Sequence, residues 1–225
     1  MPFLTKILTV LPQTLALAGL LAASPGLPVA SSGLPAAPGS PDARRLAAGE
    51  VLISARTVKP RKPREGIGRG VIDFPPERVF RAVTDYANYD EFMPFVTRAD
   101  VVRTLPDGAV LSTQRLDLPG PFGERRYTLS VRSRVETRPG GRIWRTQWAY
   151  VPGSGNIADQ RGSWTLEELA PGRTLATFRL YTDPGGAVPG WMMEKALAET
   201  LPYIFDGLRQ HVRRSRYDDP RRESR

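Results

Sequence analysis

The sequence predicts an α+β fold: a curved antiparallel sheet of about seven strands wrapped around a long C-terminal helix, with two short helices after strand 1. Three observations lead there. Between Thr97 and Thr182 the apolar pattern has a period of two, in runs divided by Pro/Gly turn signals. From Leu197 to Val212 the period is three to four residues. An antiparallel meander with one apolar face needs a cover, and only that last segment is long enough to supply it.

The elements follow in order. Glu50–Val58 has strand character, and the two prolines of Lys59–Arg64 stop it. Gly66–Phe74 resumes as a strand. Pro76 fits a first helical turn and Glu77 favours its positive end, with Val79, Phe80 and Val83 at helical spacing. A second short helical segment covers Ala87–Phe95. Six strands follow: Thr97–Leu105, Ala109–Leu118, Arg125–Thr137, Arg142–Val151, Gln160–Leu169 and Thr174–Thr182. Turns are signalled by Pro106-Asp107-Gly108, Pro139-Gly140-Gly141 and Pro171-Gly172. After the breaker Asp183–Gly190, the stripe Leu197, Leu201, Ile204, Leu208 and Val212 marks the long helix. Pro202 inside it predicts a kink.

The front of the chain reads differently. Lys6 precedes a short apolar run ending at Leu15–Ala23, and small residues follow. Residues 1–30 therefore read as a secretory signal, which places the folded part outside the cytoplasm, periplasmic or secreted. The alternative is an uncleaved N-terminal anchor. Residues 31–45, rich in Pro, Gly, Ala and Ser, read as a flexible spacer. The folded domain is expected over 46–215, with a charged tail at 216–225.

Composition excludes much. The 225 residues contain no Cys and a single His, His211. Disulfides, Cys-zinc sites, iron–sulfur clusters and thiol catalysis are ruled out, and a multi-His metal site is impossible. No metal and no cofactor are expected. The net charge of +9 fits an anionic membrane surface or simple solubility. No nucleic-acid motif accompanies it, so no nucleic-acid partner is expected.

Val71-Ile-Asp-Phe-Pro-Pro-Glu-Arg-Val-Phe80, running into Val83-Thr-Asp-Tyr-Ala-Asn-Tyr-Asp-Glu-Phe-Met-Pro94, carries a family resemblance. So does Tyr181-Thr-Asp-Pro-Gly-Gly-Ala-Val-Pro-Gly-Trp191, leading into the last helix. The chain resembles the START-like (SRPBCC) superfamily with its helix-grip fold, and within it the polyketide-cyclase/coenzyme-Q-binding group. The resemblance covers roughly residues 65–215. It implies a cavity between sheet and C-terminal helix holding a hydrophobic small molecule: a lipid, a quinone or a polyketide-like compound.

Candidate ligand-binding residues are Phe80, Phe92, Met93, Phe95, Leu116, Tyr127, Trp144, Trp148, Trp164, Phe178, Trp191 and Met192. For any single one of them a place in the packed core is the favoured reading, because buried aromatics are the usual core material. Trp191 and Met192 sit where loop meets helix, at an expected cavity mouth. Ser133 and Thr146 fall on inward faces as orienting hydroxyls. Asp85, Asp90 and Glu91 read as helix caps or as acid–base groups. His211 reads as a cation complementing the helix end. Three functions stay open. A monomeric binding or transport module comes first, with transient docking on anionic lipid through Lys59–Arg64 and Arg209–Arg225. The alternatives are a cyclase/isomerase-type enzyme, and a protein-interaction module without ligand. Pro152–Ile157 and Asp183–Gly190 are the loops expected to open the cavity.

Overall fold

The computed structural model describes residues 39–56, 65–118, 123–186, 188 and 190–218. Residues 1–38, with the signal reading, and the basic segment Lys59–Arg64 lie outside the described residues. Eight strands form one antiparallel sheet: β1 (Leu52–Arg56), β2 (Glu65–Ile72), β3 (Val96–Thr104), β4 (Val110–Leu118), β5 (Gly123–Arg138), β6 (Gly141–Tyr150), β7 (Asp159–Ala170) and β8 (Arg173–Asp183). Their order is β1-β2-β8-β7-β6-β5-β4-β3. The eighth strand is β1, a five-residue edge strand on β2. The two short helices accordingly follow β2, not β1.

Helix α1 (Pro41–Ala47) occupies part of the expected spacer. Its signals are local: Ser40 accepts from the Ala43 amide as N-cap, Pro41 opens the first turn, and Asp42 follows. It docks by one apolar residue, Leu46, against Val71 and Leu175. A single turn-scale anchor leaves no periodicity to read. Helix α2 (Pro76–Thr84) starts at the Pro-Pro step and buries Val79, Ala82 and Val83 completely. A 3-10 segment, Tyr86–Glu91, leads to β3.

Helix α3 (Gly190–His211) is 22 residues long, about 33 Å at 1.5 Å per residue. The expected stripe is its buried side: Leu197, Leu201, Ile204, Leu208 and Val212. Phe205 joins it, fully buried. What lets the helix approach so closely is β2. Gly66, Gly68 and Gly70 alternate onto the face that meets α3. A Cβ added at Gly68 would lie 2.8 Å from the Phe205 ring, and one at Gly70 2.6 Å from it. Both distances are below contact, so side chains there would push α3 off the sheet.

The segment after α3 is fastened to α2. Arg78 donates to the Val212 carbonyl and pairs with Asp218, and Arg81 donates to the Tyr217 carbonyl. Tyr217 is buried. Residues 213–218 are thus a clasp, where the charge-rich sequence reads as a tail beginning at 216. The decisive feature is one aromatic ring that drops back onto the core.

Gly70→Ala should lower the unfolding free energy by about 1–3 kcal/mol, the usual cost of overpacking. Combined with Phe205→Leu, it should cost less than the two single changes added together. Urea denaturation of the four proteins measures both effects.

Candidate functional site

The glycine contact holds the C-terminal half of α3 on the sheet. Its N-terminal half spans a cavity of about 290 Å³. Met193, Leu197, Thr200 and Ile204 recur at helical spacing and form the roof. The floor comes from alternating positions of the sheet: Leu116 and Gln114 of β4, Tyr127, Leu129 and Val131 of β5, Trp148 of β6, Gln160 of β7, and Phe178 and Leu180 of β8. Tyr86, Tyr89 and Met93 close one side. Exposed Phe95, Glu199 and Tyr203 mark the mouth, with Arg125 and Pro184 beside them. Phe95 has a φ of 65°, unusual for a residue with a side chain.

Six of the twelve candidates lie in this wall: Met93, Phe95, Leu116, Tyr127, Trp148 and Phe178. The other six do not. Trp164 is fully buried, its ring 4.5 Å from that of Phe178 and 5.5 Å from that of Phe205. Trp144 is buried under the Arg142 guanidinium. Phe80 packs on the core from α2, and Phe92 stacks on His211 at 4.5 Å. All four belong to the closed end, where α2 and the second half of α3 fill the space. Trp191 is 67% exposed. It precedes Thr200 by nine residues, half a turn out of phase, so it faces away from the cavity. Met192 is half-buried and off the wall. Alternation identifies which face a residue is on, and not how far along that face the packing stops.

The polar groups also differ from expectation. Ser133 and Thr146 do not line the cavity. Both bond the Tyr86 hydroxyl, at 2.6 and 3.1 Å, and anchor that ring. The polar side chains of the wall include Ser112, Gln114 and Gln160, each buried, together with Tyr127, Thr182, Thr200 and Arg125, whose Nε is buried. The signal for the first two was present: in Ser112-Thr113-Gln114-Arg115-Leu116, polar residues occupy the phase of an apolar strand face. Burial raises the Tyr86, Tyr89 and Tyr127 phenols above the usual tyrosine value. At neutral pH they are hydrogen-bonding hydroxyls and not bases.

The loops beside the mouth are unlike one another. Pro152–Ile157 is pinned to β5: Asn156 accepts from the Arg126 amide and donates to the Glu124 carbonyl, and Ser154 accepts from the Thr128 amide. Ile157, at the end of this loop, lines the cavity. Thr182 and Pro184, next to the second loop, line the cavity directly.

A family model described as polyketide cyclase/dehydrase and lipid transport matches residues 72–208. The chain belongs to this family. Solved structures agree on the START-like fold. A STAR-related lipid transfer protein fragment from Xanthomonas axonopodis is 21% identical, over 73% of this chain and 94% of that one, with a TM-score of 0.62. Human StAR-related lipid transfer protein 5 is 17% identical, over 76% and 89%, with a TM-score of 0.59. A START superfamily protein from Mycobacterium smegmatis is 17% identical, over 66% and 96%, with a TM-score of 0.55. Among curated proteins no sequence match was found.

In this member of the family the candidate acid–base groups lie away from the cavity wall. His211 is 2% exposed. Its Nε2 lies 2.5 Å from the Tyr217 hydroxyl, which donates to Asp85 at 2.7 Å. Asp85 also accepts from the Asn88 side chain, and its carboxylate makes no helix-cap bond. Glu91 is held by Arg214 and Arg216. Those arginines, with Arg209 on the Val71 and Gly49 carbonyls, are engaged within the described fold. Residues 219–225, with the rest of the basic tail, lie outside the described residues.

Burial, and then the Arg214 charge, holds the His211 imidazole below its ordinary value. A lowered folded value means that the unfolded chain binds the proton more readily. The contribution is therefore complete above about pH 6.5 and is lost as the pH falls below it. Unfolding free energies measured from pH 8 to pH 5 should fall below pH 6.5, and His211→Gln should flatten that decline. An equally steep decline in the variant would contradict this assignment.

Proposed function

We propose that this chain binds, and carries between sites, a hydrophobic small molecule held beneath the N-terminal half of α3. One observation carries the reading: an apolar cavity beneath α3 with exposed Phe95 and Tyr203 in its wall. Leaving such a space unfilled forfeits contacts for every atom lining it. Its size falls at the lower end of small-molecule sites. The family supports the reading, as it includes lipid transport. A lipid, a quinone or a polyketide-like compound are the ligand classes considered. The phenols held protonated in the wall favour binding over acid–base chemistry on a bound substrate.

The proposed setting is outside the cytoplasm, as read from residues 1–30. For membrane contact we favour the mouth over the basic segments. Phe95 and Tyr203 present aromatic rings at the rim, the side-chain type that settles at a bilayer interface. Arg209, Arg214 and Arg216 are engaged within the fold.

The test uses N-phenyl-1-naphthylamine, a neutral apolar dye that brightens on leaving water. The protein should bind it with saturation. Ala196→Trp, which fills the cavity from its roof, should weaken that binding about tenfold or more while leaving the far-UV circular dichroism unchanged. Saturable binding that is indifferent to the variant would place the dye elsewhere and defeat the reading.

A further inference from the structure

The polar atoms inside the cavity are few, buried and incompletely partnered. Ser112 Oγ, Gln160 Oε1, Trp148 Nε1 and Arg125 Nε have no hydrogen-bond partner, although all four side chains line the cavity. Ser112 is 1% and Gln160 7% exposed. Buried polar groups are normally paired, and each unpaired one costs free energy.

Their arrangement has a direction. Gln114 and Tyr127 are cross-strand partners on β4 and β5, and the Tyr127 hydroxyl donates to Gln114 Oε1 at 3.4 Å. Gln160 hydrogen-bonds the same phenol. With the phenol proton committed to Gln114, it is the Gln160 amide N–H that donates. This leaves Gln160 Oε1 as an acceptor. Trp148 Nε1 is a donor only, and the Ser112 hydroxyl is either. Ser112 lies two residues from Gln114 on the same strand face.

We infer that the cavity selects a ligand bearing a hydroxyl group, seated with that group on Ser112, Gln160 and Trp148. This rests on the ligand-binding reading above. A hydroxyl both donates and accepts, so it satisfies Gln160 Oε1 and an N–H or O–H donor together. A carbonyl or ether leaves Gln160 Oε1 unpaired. An anionic head would seat instead on Arg125, whose Nε is buried and unpaired in the same wall, and the decanoate arm below separates that seat from this one. The charged wall residues are Arg125 and Glu199, beside the mouth. The size adds a limit: 290 Å³ is about ten water volumes. That suits one short chain or a small ring system and not a two-chain lipid enclosed whole.

The experiment displaces N-phenyl-1-naphthylamine at pH 8 with three ten-carbon compounds: 1-decanol, 1-fluorodecane and decanoate. 1-Decanol should compete about tenfold or more better than either of the others. In Ser112→Ala/Gln160→Leu, with melting temperature checked, that preference should shrink to about twofold or less, while 1-fluorodecane binds as well as before or better. Equal or better competition by 1-fluorodecane or decanoate in the unaltered protein overturns the inference and leaves the binding reading standing. A preference that survives in the double variant overturns the assignment to these residues. Failure of all three to displace the dye overturns the binding reading itself.

Discussion

The structure depends on one close approach, the Phe205 ring lying on the bare backbone of β2. Three alternate residues of that strand are glycine, so α3 meets peptide groups where side chains would otherwise stand. The contact is second to none in consequence, because it sets the height of the helix above the sheet. Gly207 repeats the device on the next turn. A Cβ there would lie 2.3 Å from the Phe92 carbonyl oxygen, so the segment before β3 also closes directly on the helix. Gly162 does the same for the floor, since a Cβ would meet the Trp148 ring at 2.2 Å. That indole can lie flat over β7 only because the position is bare.

From this anchor the helix divides into two functional halves. The second half is fixed by Leu201, Phe205 and Leu208, and by the clasp that Tyr217 and the arginines of α2 build after it. The first half roofs the cavity, with only Leu197 lying over the glycine row, at Gly66. Rigidity at one end and open space at the other are therefore one arrangement. The aromatic cluster of Trp164, Phe178 and Phe205 is the wall between them. Tyr89 and Phe92 stand between the ligand space and the buried His211–Tyr217–Asp85 group: Tyr89 lines the cavity, its ring lies 5.0 Å from that of Phe92, and Phe92 stacks on His211.

Much of the fold was legible because it is written in periods. Trp144 and Trp148, Tyr127 and Val131, or Leu197 and Leu201 declare their face by spacing alone, and the turns at Gly108, Gly140 and Gly172 adopt the positive φ that marks them. The site was legible only in part. Trp164 and Trp148 read alike, yet one is core and the other is wall, because a facing helix determines where packing ends. Trp191 looked like a mouth residue from its position after a loop, but its phase on α3 turns it to solvent. Ser112 and Gln160 carry no motif, and polar residues on an inward strand face gain meaning only when a cavity lies in front of them.

By itself, the sequence determined the element order, the antiparallel meander, the covering helix and its buried stripe, and the absence of thiol and multi-His chemistry. These follow from composition and from periodicities that each segment carries locally. Only the tertiary structure decided that residues 213–218 close back on α2 and that four of the nine aromatic candidates are core. Those outcomes depend on contacts between segments more than a hundred residues apart, such as Tyr217 with Asp85 or Phe205 with Gly70. No local pattern encodes a distance of that kind, because it is fixed by how two faces fit once both exist.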